Sequence, residues 1–67
     1  MISEKIMQIL EEQREVDIND LILQLKQHPG VVRRVLEELR KQNKIEIAKR
    51  KQPHNPRKYK LIVRIKL

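Results

Sequence analysis

The spacing of apolar residues changes once along this chain, and that change fixes its architecture. Up to Leu39 the aliphatic residues recur at the helical period, whereas from Ile45 onward they alternate with polar ones. One backbone cannot satisfy both periods, so helices come first and a β-hairpin last. Within 67 residues this predicts a single small α+β domain spanning 1–67. Such a short chain buries only about 60% of the surface its unfolded form exposes, so its core must pack efficiently. Tyr59 is the sole aromatic residue and there is no cysteine. The core is therefore aliphatic, and neither disulfides nor a thiolate metal site are available.

Three helices are expected. Ile2, Ile6, Ile9 and Leu10 form one stripe, and Ser3 is a suitable N-cap, which predicts a helix over about 3–14. Val16 follows as a short extended residue. Asp17 then caps a second helix over about 18–27, with Ile18, Leu21, Ile22 and Leu25 on its buried stripe. His28-Pro29-Gly30 breaks the chain, because proline disfavours helical geometry in the residue before it yet suits the first position of a new helix. The third helix is expected over about 29–42, burying Val32, Val35, Leu36 and Leu39. Asn43 fits the left-handed position that ends it. The strands are expected at about 44–51 and 57–66, where Ile45 and Ile47 face Tyr59, Leu61, Val63, Ile65 and Leu67. Opposing Ile45 to Val63 and Ile47 to Leu61 leaves a tip over 52–56, stiffened by Pro53 and Pro56.

Charge is distributed as unevenly as hydrophobicity. Met1 to Ala48 holds eight basic and nine acidic residues; Lys49 to Leu67 holds eight basic residues and no acid. A polycation is thus attached to a nearly neutral scaffold, which points to a polyanionic partner, nucleic acid ahead of an anionic membrane surface. No apolar run approaches the ~18 residues of a membrane span. The opening residues lack the apolar centre of a secretory leader, so a cytoplasmic location is expected. No Ser-His-Asp set, paired carboxylates or glycine-rich loop supports catalysis. His28 and His54 have no third ligand at metal spacing, so neither metal nor cofactor is expected.

Two helices separated by a short break, then a hairpin, is the order of a winged helix-turn-helix. Between Val16 and Ile45 the chain resembles small bacterial and archaeal winged-helix DNA-binding domains. Leu21, Ile22 and Leu25 match the core of that family's second helix, and His28 matches the cap before the third. Val32, Leu36 and Leu39 match the third-helix core, Asn43 the terminal glycine, and Ile45 the first residue of the next strand. Lys26 stands where a small residue is usual, Gln27 where an apolar one is usual, and His28 where serine is usual. The Z-conformation nucleic-acid-binding branch has a similar frame, but its contact Asn and Tyr would fall at Arg33 and Glu37.

The resemblance implies a transcription regulator that places its third helix in the major groove of double-stranded DNA and its wing on phosphates. Arg33 and Arg34 would read base edges. Lys41, Lys49, Arg50, Lys51, Arg57, Lys58 and Lys60 would contact the backbone, with His54 at the wing tip. The amides of Gly30 and Val31 would hold one phosphate. Bland readings stand beside these. Arg33 and Arg34 would pair with Glu37 or Glu38 on a solvated face, and the wing cations would protect a sheet edge. Glu37 would accept from a cytosine amino group or orient Arg33 or Lys41. Tyr59 is expected to pack between wing and third helix, with base stacking as the lesser option. Leu23 and Ile62 are expected to be exposed, which leaves room for a homodimer or for a protein-interaction adaptor as the alternative function.

Overall fold

The element order is α1 (Ile2–Gln13), β1 (Glu15–Asp17), α2 (Ile18–Leu25), α3 (Pro29–Lys41), β2 (Ile45–Gln52) and β3 (Asn55–Ile65). The computed structural model describes residues 1–66, Pro56 by its backbone alone; Leu67, assigned above to the alternating run, lies outside the described residues. The fold is α+β, with three helices against one antiparallel sheet of order β1-β3-β2. Every element supplies the core: Ile6 and Leu10 from α1, Val16 from β1, Leu21 and Leu25 from α2, Val32, Leu36 and Leu39 from α3, Ile45 from β2 and Val63 from β3.

The helices form where the apolar stripes place them, but their ends differ. Ser3 lies inside α1, and Met1 takes the N-cap position without a side-chain bond. Asp17 does cap α2, its carboxylate accepting the Asn19 amide at 2.7 Å. Val16 and Leu21 flank that cap at the positions of a hydrophobic staple, and both are buried. Helix α2 stops at Leu25 rather than at 27, because Lys26 turns left-handed with φ 54°. Helix α3 ends in a Schellman arrangement. The Lys44 amide donates to the Leu39 carbonyl and the Asn43 amide to the Arg40 carbonyl, with Asn43 at φ 60°.

Val16 is the centre of a true strand. Strand β1 pairs with β3 through Glu15↔Arg64, Val16↔Val63 and Asp17↔Ile62. The chain reaches β1 through Arg14, which sits at φ 67° and ψ −55°. That is the strained region of a γ-turn, tolerated here because α1 and β1 are both held by the core. Arg14→Gly should relieve the strain and stabilise the fold by about 1 kcal/mol. The measurement is the urea midpoint, and an unchanged or lower midpoint would show that Arg14 is not strained.

The hairpin register also differs. Ile45 pairs with Ile65, Ile47 with Val63 and Lys49 with Leu61. The strands close through a tight turn, Pro53-His54, with Gln52 opposite Asn55, rather than through a tip over 52–56. Among the described residues only Arg14, Lys26 and Asn43 have positive φ, so the turn is not one of the left-handed types that match strand twist. Pro53 forbids them by fixing its own φ. The mismatch is taken up immediately behind the turn, where pairing jumps from Lys51↔Tyr59 to Gln52↔Asn55 and leaves 56–58 without partners.

Candidate nucleic-acid interface

The start of α3 is closed by its own cap. Nδ1 of His28 accepts the Gly30 amide at 3.0 Å, and the His28 carbonyl accepts the Val31 and Val32 amides. The amides of Gly30 and Val31 are thus occupied and do not form the open phosphate cradle expected for them. A Cβ on Gly30 would meet that Nδ1 at 3.2 Å, so the missing side chain makes room for the cap.

Beyond this turn, α3 presents Arg33, Arg34, Glu37, Arg40 and Lys41 to solvent. Glu37 joins neither Arg33 nor Lys41. It accepts from Arg40 at 2.7, 2.9 and 3.1 Å, one turn further along the helix. Those hydrogen bonds hold its carboxyl below the ordinary value of 4.5 against the opposing effect of desolvation, and the charges of Arg40 and Lys41 add to the lowering. With Glu37 taken by Arg40, Arg33 and Arg34 have no ion-pair partner among the described residues. They do not point alike. Arg34 lines the shallow groove between α1 and α3, alongside Glu4, Glu11 and Glu38.

The sheet sorts the basic hairpin by face. Strand parity puts Glu15, Asp17, Glu46, Ala48, Arg50, Lys60, Ile62 and Arg64 on the face away from the helices. There the charges are compensated. Arg64 donates to Glu46 directly opposite at 3.1 Å, Arg50 reaches across β3 to Glu15 at 3.2 Å, and Lys60 lies 3.8 Å from Asp17. Ile62 occupies the middle row and is only 6% exposed, although it lies outside the main core cluster. It sits on the central strand between Asp17 of β1 and Ala48 of β2, so an outward-facing isoleucine is not an exposed one here. Arg50 and Lys60, expected among the free phosphate contacts, are committed to this layer.

The opposite face continues the core surface of Ile45, Ile47, Leu61 and Val63 outward to Lys49, Lys51 and Tyr59. Lys49 and Lys51 are exposed and have no acidic partner among the described residues. Tyr59 is not sandwiched against α3. It is 52% exposed, and the Lys49 ammonium lies 4.9 Å from its ring centroid. His54, Arg57 and Lys58 are exposed around the turn and the unpaired stretch.

Sequence reading missed the acids Glu15, Asp17 and Glu46 as partners of the hairpin. The available signal was Val16, whose flanking acids become cross-strand neighbours once it is read as a strand. No helix among the described residues is long and apolar enough to cross a membrane. No protein-family model and no curated protein matches this chain.

Proposed function

We propose that this chain is a winged helix-turn-helix DNA-binding protein that acts in transcription regulation. Helices α2 and α3 with the turn 26–28 would be the helix-turn-helix, and the β2–β3 hairpin the wing. The observation that carries this reading is the sorting of cations. Arg50, Lys60 and Arg64 on the sheet face away from the helices are paired with acids, whereas Lys49 and Lys51 on the helix-side face, and Arg33 and Lys41 on α3, have no acidic partner among the described residues. Edge protection alone gives no reason for a one-sided distribution.

In this reading Arg33 and Arg34 read base edges, with Arg33 the freer of the two because acids line the groove beside Arg34. Lys41, Lys49, Lys51, Arg57 and Lys58 contact phosphates. The adaptor alternative is weakened because Ile62 is buried, leaving Leu23 on α2 as the one exposed leucine among the described residues, which needs no partner.

The test is titration with duplex DNA at low salt, followed by selection of bound sequences from a random duplex pool. Absence of binding at low salt overturns the proposal. Arg33→Ala should cost about 1–3 kcal/mol at its preferred base pair and broaden the selected sequences. If selection returns no preferred sequence even for the unmodified protein, the chain binds DNA without reading it and the regulator assignment fails.

A further inference from the structure

The only aromatic ring in the chain is not used to build its core. A small domain gains more from burying an aromatic side chain than from almost any other residue, yet Tyr59 is half exposed while the core is wholly aliphatic. Its position is fixed nonetheless. Tyr59 pairs with Lys51 across the ladder, and Leu61, two residues further along β3, packs against the core on the same face. Lys49, paired with Leu61, extends back until its ammonium stands 4.9 Å from the ring centroid. The result is a ring placed on the helix-side face of the sheet beside two lysines that have no acidic partner among the described residues.

Neither an ordinary duplex contact nor a protein core calls for that arrangement. Phosphates need the cations but not the ring. An unstacked nucleobase needs both: its face stacks on an aromatic side chain while the neighbouring phosphate meets an ammonium group. Bases inside an intact duplex have both faces covered by their neighbours and cannot use the ring. We propose that Tyr59, Lys49 and Lys51 form a stacking site for an unpaired base, so that the preferred ligand is a duplex carrying a single-stranded extension rather than a fully paired one. This rests on the nucleic-acid reading above and narrows its substrate class. Lys49 covers the ring in the free protein and moves to the phosphate when a base takes its place.

Tyr59 is the only tyrosine and there is no tryptophan, so its fluorescence reports the site without a label. Three ligands separate the contributions: a blunt duplex, the same duplex with a single-stranded extension, and that duplex with an abasic extension of equal length. The last carries the same phosphates without bases. The normal extension should bind about fivefold or more tightly than the abasic one, and it alone should quench the tyrosine emission. Tyr59→Leu should abolish the difference between the two extensions while leaving blunt-duplex affinity and thermal unfolding unchanged. Tyr59→Phe should retain it. Equal binding of the normal and abasic extensions, or a preference that survives in Tyr59→Leu, overturns the stacking site while blunt-duplex binding leaves the DNA reading standing. If none of the three ligands binds at low salt, the DNA reading itself falls and the stacking site with it.

Discussion

Substituting the two helix-side lysines of the hairpin should flatten the salt dependence of DNA binding, and substituting two cations of the opposite face should not. Five phosphate contacts (Lys41, Lys49, Lys51, Arg57 and Lys58) predict a log–log slope of about −4.5, or roughly a 500-fold loss of affinity between ~50 and ~200 mM salt. Lys49→Gln with Lys51→Gln should reduce that slope by about 2, because each phosphate left without its lysine keeps about one counterion that binding would otherwise release. Arg50→Gln with Lys60→Gln removes the same number of charges from the same hairpin. Its slope should stay near that of the unmodified protein, because Arg50 and Lys60 are directed to Glu15 and Asp17 on the far face. Equal net charge in the two double variants makes the comparison a test of placement rather than of overall positivity. Slopes that fall alike would mean that the protein binds through its whole basic surface, and the one-sided interface would be wrong.

That sorting was hidden in the sequence for a definite reason. Alternation fixes which face a strand residue occupies, and it does so correctly for Ile45, Ile47, Leu61 and Val63. It does not fix register. Sliding the hairpin by two residues keeps every side chain on its face, so pairing Ile45 with Val63 satisfies the apolar pattern as well as the actual pairing with Ile65. The turn decides between them, and a proline-led turn gives no sequence signal as strong as Asn-Gly. Strand β1 is shorter than any pattern that alternation can detect. Without it Glu15 has no reason to be associated with Arg50, thirty-five positions away. The helices were legible because each stripe repeats over several turns. Their ends were less so, since Arg14 and Lys26 adopt positive φ where the chain offers no glycine to announce it. His28 was recognised as a cap, but the occupation of the Gly30 amide by its ring followed only from the geometry.

Leu36→Ala should bring the protein close to its unfolding midpoint. Leu36 lies on α3 at 1% exposure, on the buried stripe with Val32 and Leu39, and it belongs to the cluster that joins all six elements. Truncating a fully buried leucine costs about 2–5 kcal/mol, the larger values where neighbours cannot close the cavity. At ~0.05–0.15 kcal/mol per residue, a chain of this length has only roughly 3–10 kcal/mol in total. The core has no aromatic ring to shift into the gap, and β-branched Ile6, Val32 and Ile45 repack poorly. In urea the midpoint should fall by about 2 M or more at a slope of ~1 kcal/mol/M, or the cooperative transition should be lost altogether. Leu23→Ala is the matched control on α2. Leu23 is 73% exposed, and its truncation should change stability by no more than about 0.5 kcal/mol. A Leu36→Ala protein as stable as the Leu23→Ala protein would mean that α3 is not anchored through this stripe. The base-reading arginines would then lack the rigid mount on which the proposed interface depends.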